Sequence, residues 1–346
     1  MIRFFLHAII LLAALTGRAQ KDTVRKYLDG NLHFTTKRNF QYAAMAVKTN
    51  DHWILYAVYP DTGVLLKVYY KDAALSIKDG PFTLYFPKNI VSQKGSFKNN
   101  VPNGKWETWY VSGQLKSEGI ITDNHFSGVW KSWYQNGKMM TEQTYIYTDS
   151  MAGQSAHQSF PSYKVEAVLD DFAPEGKLDG TSTAWYENGN KESVLTYHND
   201  SLAGVCSWFR ENGHPSSKET YVNGKVTELE CYDSTGKYTG ATCSILKLPL
   251  LIHPFFTALD YIEYDLHKDK HKGVEEGDAE ISFTVTKKGT VKDLVFLSSP
   301  DPGLNKLIVQ IFAAMPAWSP AVIHNRNVDC PLKLSIPYYR DYLVIK

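Results

Sequence analysis

The sequence predicts a mostly β protein: an elongated meander of repeated β-hairpins, followed by a small α+β domain of order α-β-β-α-β. Three observations predict it. Two stretches repeat one aromatic pattern 24 residues apart, Gly104-Lys-Trp106-Glu-Thr-Trp109-Tyr110 and Gly128-Val-Trp130-Lys-Ser-Trp133-Tyr134. Asn-Gly pairs at 136–137, 188–189 and 212–213 follow such runs, where a tight turn joins two strands. Beyond residue 254 the apolar spacing becomes helical at Phe255, Leu259, Ile262 and Leu266.

The repeat runs through residues 80–240 and sets the fold there. Units start at Gly80, Gly104, Gly128, Gly180 and Gly204. Counting each Gly as zero, position +5 holds Tyr85, Trp109, Trp133, Trp185 and Phe209. Position +6 holds Phe86, Tyr110, Tyr134, Tyr186 and Arg210, and position +17 holds Phe97, Ile121, Tyr145, Tyr197 and Tyr221. The gap from Gly128 to Gly180 leaves 28 extra residues, a polar and turn-rich insertion near 149–179. Strand alternation puts Trp106, Thr108 and Tyr110 on one face, and Glu107 and Trp109 on the other. Such aromatic rows invite a carbohydrate- or peptide-binding reading. Their commoner use is cross-strand packing within the sheet, and that reading is adopted here.

The 346 residues suffice for two or three domains. Met1-Ile-Arg3, the apolar run Phe4–Leu15 and the small residues Gly17 and Ala19 form a secretory signal pattern, with cleavage before Gln20. The competing reading is an uncleaved anchor. A helix of 12 residues rises about 18 Å, against a hydrocarbon core of roughly 30 Å. Cleavage is favoured, and only this N-terminal segment would associate with a membrane. Taking Arg3 and Arg18 from 37 basic residues leaves 35 against 36 acidic ones. Without a net positive charge or a basic run, nucleic acid is not expected as a partner.

Residues 20–79 read as an N-terminal β region, with strands near Tyr42–Val47, Trp53–Tyr59 and Val64–Tyr70. Units and insertion occupy 80–240, and Tyr232–Gly240 is an atypical last unit without Trp. Residues 241–254 read as a linker and 255–346 as the second domain. There Ile281, Phe283 and Val285 alternate, Lys287-Lys288-Gly289 turns the chain, and Val291–Leu297 follows. Asp301 caps a helix with Pro302 at its first position. Leu304, Leu307, Ile308, Ile311 and Met315 form its apolar face, and Pro316 ends it. A last strand alternates Leu332, Leu334 and Ile336 between Pro331 and Pro337.

Cys206, Cys231, Cys243 and Cys330 include no C-x-x-C pair, which argues against zinc-ribbon and thioredoxin-like sites. Export permits disulfides. Cys206 occupies the repeat position of Phe82, Trp106 and Trp130. It reads either as a buried thiol or as half of a Cys206–Cys231 bridge.

The repeat resembles the MORN-repeat variant found in the YwqK antitoxin-like family, whose units read roughly G-x-W-x-x-W-Y-x-N-G-x-x-x-x-E. Glu118 and Glu142 fit the last position, and Val194 and Lys218 do not. The resemblance covers about 80–240 and implies an elongated hairpin meander, not an enzyme. The C-terminal domain resembles that of TonB-family energy transducers. The residues are Phe283-Thr-Val285, Gly289-x-Val291, Ser298-Ser299 and the signature Met315-Pro316-Ala-Trp318-Ser-Pro320. The resemblance implies binding, in the periplasm, of an extended peptide from an outer-membrane transporter, added as a strand to the sheet edge. Carried over, that edge is Leu332, Lys333, Leu334, Ser335 and Ile336, and Leu334→Pro is expected to abolish addition. A transducer of that family would carry a membrane helix and a Pro-rich spacer, where this chain has a leader and repeats.

His267 and His271 have i, i+4 spacing but no intervening Glu, and read as a charged helix end rather than a metal site. His125, His198 and His214 read as solvated turn residues. No nucleophile elbow, phosphate loop or Cys/His constellation occurs. Glu118 and Glu142 read as a structural ladder. The expectation is therefore a non-enzymatic, exported envelope scaffold without a cofactor. The alternative is an energy transducer held by an uncleaved leader.

Overall fold

The computed structural model describes residues 22–148, 176–251, 262, 266 and 274–339. The expected leader, residues 149–175 of the insertion, most of the helix from Phe255, and His267 and His271 lie outside the described residues. The chain is mostly β and is organised as a long antiparallel hairpin meander. It divides into two compact units. One holds the described residues up to Gly213 together with Glu219–Thr227; the other holds His214–Lys218 and those from Glu228 onward.

The first unit opens with Thr23–Leu28, Tyr42–Lys48, Trp53–Tyr59 and Gly63–Tyr70, each antiparallel to the next. The repeat then begins with Lys78–Phe86 and Ile90–Lys98, followed by Gly104–Trp109 and Leu115–Thr122. His125–Trp133 and Met139–Ile146 form the third hairpin, and Lys177–Trp185 with Lys191–His198 the fourth. The insertion is therefore shorter at its C-terminal side than expected, because residues 177–179 already belong to a strand. Gly204–Phe209 begins the fifth hairpin.

The repeat glycines have a cause that sequence alone left unstated. Gly80, Gly104, Gly128, Gly180 and Gly204 all have positive φ, between 63° and 110°. At each, the pairing with the preceding strand moves by two residues. Phe97 pairs with Pro102 before Gly104, whereas Lys94 pairs with Glu107 after it. Tyr145 pairs with Leu178 before Gly180, and Gln143 with Ser182 after it. Each glycine is a bulge that a side chain would strain.

The two kinds of turn also separate. Within a unit, Gly137 N–H donates to Tyr134 O and Tyr134 N–H to Lys138 O, and Gly137 has positive φ while Asn136 does not. The Asn-Gly pairs therefore form a three-residue loop with a left-handed glycine, not the primed two-residue turn. The primed geometry lies between units, where Asn99-Asn100, Asp123-Asn124, Asn199-Asp200 and Asn223-Gly224 are all left-handed pairs. Asn and Asp tolerate that region better than other side chains.

The core of this unit joins Leu55, Leu66 and Val68 of the leading strands to Phe82, Phe97, Trp106 and Ile121 of the repeat. Trp106 is fully buried, and a Cβ on Gly95 would stand 2.2 Å from its indole. A Cβ on Gly119 would stand 2.3 Å from the Trp130 indole in the same way. In the later units Ser182 faces Gln143, and Cys206 and Leu195 pack in a smaller cluster with Trp208 and Tyr221. A large residue at position +2 thus faces glycine, and a small one faces a larger side chain.

In the second unit, Gly277–Val285 is the central strand of a three-stranded antiparallel sheet, flanked by Val291–Ser298 and Cys330–Tyr338. The helix Pro302–Ala314 is capped by Asp301, whose carboxylate accepts from Leu304 N–H at 3.2 Å. Leu304, Ile308, Ile311 and Phe312 pack with Ala279, Ile281, Phe283, Val285 and Ile336. Ile262 and Leu266 are helical and fully buried in this core. Within the stretch read as a linker, Leu246–Lys247 pairs with Ala321–Ile323, and Leu250–Leu251 with Trp318–Ser319. Ala321–Ile323 and its partner Arg326–Val328, joined by the left-handed pair His324-Asn325, are strands that the sequence pattern does not predict.

A disulfide joins Cys231 to Cys243, while Cys206 and Cys330 are free thiols. The Cys206–Cys231 alternative is thereby corrected. Cys206 is buried, with its thiol directed to Thr196 O at 3.9 Å.

Candidate partner-binding edge

The repeat aromatics are occupied structurally. The Tyr110 hydroxyl donates to Trp133 O at 2.8 Å, Tyr134 to Trp185 O at 2.7 Å, and Tyr186 to Phe209 O at 2.8 Å. Each +6 tyrosine therefore ties its turn to the +5 carbonyl of the next unit. Asn136 and Asn188 add parallel bonds, from their side-chain amides to Glu187 O and Glu211 O. Trp106 and Trp130 fill the face that carries the core, packed on the two glycines. Trp109 lies on the other face, with the Lys94 ammonium 5.5 Å from its ring centre.

That other face carries a charge ladder. Lys94, Glu107, Glu118, Lys131 and Glu142 stand in one cross-strand row. Lys105 reaches Glu107 at 2.8 Å and Glu118 at 2.9 Å, and Lys131 reaches Glu142 at 3.3 Å. The two carboxylates hold the Lys105 ammonium pKa up at about 12. Glu118 and Glu142 thus behave as the structural ladder expected of them.

The histidines divide. His198 is exposed beside Asp179 at 2.9 Å, and His214 is also exposed. His125 is only 3% exposed, which corrects the solvated reading. Its Nδ1 lies 2.8 Å from Asp123 O, and its ring lies 5.6 Å from that of Tyr147. Among the described residues, no group of three or more His, Cys, Asp or Glu could hold a metal ion.

In the second unit the signature residues support the sheet. Met315 ends the helix in extended geometry, and Pro316 follows it. Trp318 is buried 5.8 Å from the Phe283 ring, and its N–H donates to Gly289 O at 3.0 Å. Gly289 is obligatory there: a Cβ would stand 2.1 Å from Trp318 O. Pro320 separates the two short strands Trp318–Ser319 and Ala321–Ile323.

The Leu332–Ile336 stretch lies within Cys330–Tyr338, whose inner side pairs with Gly277–Val285 over nine unbroken positions. Among the described residues, no strand pairs with its outer side. Leu332, Leu334 and Ile336 turn toward the helix-covered core, and Lys333 and Ser335 are exposed. The opposite edge, Val291–Ser298, is interrupted by two register shifts and by Asp293 at φ 56°. Bulges of this kind bend an edge away from further pairing. The straight edge is therefore the one suited to receive another strand.

Fold and edge together define a class: a hairpin-repeat array joined to an α+β unit with one open, regular sheet edge. The MORN repeat variant family model matches residues 126–147, 178–199 and 202–223, the units of Gly128, Gly180 and Gly204. No curated protein matches the chain significantly.

Proposed function

We propose that the chain is a non-enzymatic scaffold of the cell envelope, whose C-terminal unit holds a partner by strand addition. The regular, unpaired outer side of Cys330–Tyr338 carries this reading. Main-chain hydrogen bonds at such an edge supply affinity with little demand on side chains. The order of Gly277–Val285, Val291–Ser298, the helix Pro302–Ala314 and Cys330–Tyr338, with three short strands before the last, supports the TonB-like reading. The Cys231–Cys243 disulfide suits an oxidising compartment, in keeping with an export leader. The repeat array serves as a stiff support, since its tyrosines and tryptophans are used between its own units. An outer-membrane transporter is the partner class implied by the resemblance.

The test is a photo-crosslinking amino acid at Ser335 in living cells, with Val295 on the opposite edge as control. A discrete adduct from position 335, mapped to an extended segment of an envelope protein, is the expected result. No adduct, or equal adducts from both edges, would overturn the proposal.

A further inference from the structure

Resting on the strand-addition reading, we infer that the edge offers only two main-chain donors and accepts a short polar-apolar-acidic segment in antiparallel sense. Thr286 N–H donates to Thr290 O at 2.8 Å across the turn that follows the central strand. In an antiparallel ladder alternate residues direct their main chain to opposite neighbours. Thr286 faces Val291–Ser298, so Val285, Phe283, Ile281, Ala279 and Gly277 face the other way. These residues pair with Cys330, Leu332, Leu334, Ile336 and Tyr338. Pro331, Lys333, Ser335 and Pro337 therefore turn their main chain outward.

Two of those four are prolines and have no N–H. Their position is consistent with the assignment, since no bond to the central strand is lost to them. The outer side carries four carbonyls but only the N–H groups of Lys333 and Ser335. Both strand pairs of this sheet are antiparallel, the sense that pairs slightly more strongly per residue, and a strand added in that sense forms complete reciprocal pairs with those two residues alone. The ligand residues opposite them share the open face of the sheet, and the residue between lies on the helix side beside half-buried Leu334. An apolar residue suits that middle place. A carboxylate suits the place opposite the exposed Lys333, where a cross-strand charge pair forms. In antiparallel sense the order from the ligand's N-terminus is polar, apolar, acidic.

The test uses the full chain and the blocked peptide Ser-Ser-Thr-Val-Glu-Ser-Ser. Residue-resolved hydrogen exchange of the free protein should show Leu332, Leu334 and Ile336 amides exchanging about a hundredfold or more slower than those of Lys333 and Ser335. The peptide should then slow Lys333 and Ser335 selectively. Methylating the peptide's Glu nitrogen should abolish that protection, while methylating its Val nitrogen should preserve it. Replacing its Glu by Lys should weaken binding by roughly two- to fivefold. Fast Leu334 and slow Lys333 in the free protein would overturn the edge assignment by itself. Alternating exchange with no peptide effect would overturn the recognition rule and the strand-addition reading together, leaving the assignment standing.

Discussion

Tyr134 shows what one repeated aromatic does. Its hydroxyl crosses to Trp185 O, so the side chain closes the joint between two units. Tyr134→Phe should cost about 0.5–1.5 kcal/mol, one ordinary net hydrogen bond, in urea unfolding. Gly95 and Trp106 make a sharper case. Trp106→Cys alone should cost about 3–5 kcal/mol through a cavity. Gly95→Leu alone should be at least as damaging, because its first carbon already overlaps the indole. The double variant copies Leu195 and Cys206, and it should cost clearly less than the sum of the two in a double-mutant cycle. Additive costs would show that the two sites do not share one volume. The aromatic row was legible in sequence as packing. The glycine beneath it was not, since its partner lies on the neighbouring strand and is revealed only by register.

At the scale of elements, hairpins and helix were legible because their signals are local. Asp301 at the N-cap, Pro302 behind it and the spacing of Leu304, Ile308 and Ile311 placed the helix correctly. Asp301→Ala should lower stability by about 1 kcal/mol, read by thermal or urea unfolding. The strands Ala321–Ile323 and Arg326–Val328 were missed because each has three residues, too few for an alternating pattern. His324-Asn325 was the available clue, as one more pair of left-handed turn residues. The buried state of His125 was hidden because its neighbour Tyr147 lies 22 residues on, just past the end of the next strand, Met139–Ile146. The edge geometry also changes the outcome expected of Leu334→Pro. Leu334 is paired inward with Ile281, so Leu334→Pro would damage the sheet itself. Ser335→Pro removes an outward donor instead. It should leave unfolding nearly unchanged while abolishing peptide protection.

Across the whole molecule, buried and half-buried tyrosines make stability fall at alkaline pH. Burial pushes the Tyr145 hydroxyl up to about 12 and raises those of Tyr70 and Tyr197 as well. Unfolded tyrosine ionises near 10. The folded state therefore keeps protons that the unfolded state gives up. The contribution is complete below about pH 10 and is lost as pH rises toward 12. The melting temperature should drop over that interval, and Tyr145→Phe should flatten the drop. An unchanged slope in that variant would show that other groups govern it.

The account depends most on export, because an edge that meets an envelope partner must leave the cytoplasm. Intact-mass analysis with peptide mapping of fractionated cells, after alkylation in denaturant without a reductant, tests this directly. The predicted species begins at Gln20, lies in the envelope fraction and carries alkyl groups only on Cys206 and Cys330, with Cys231 and Cys243 unmodified. A cytoplasmic species beginning at Met1, alkylated at all four cysteines once unfolded, would contradict the account.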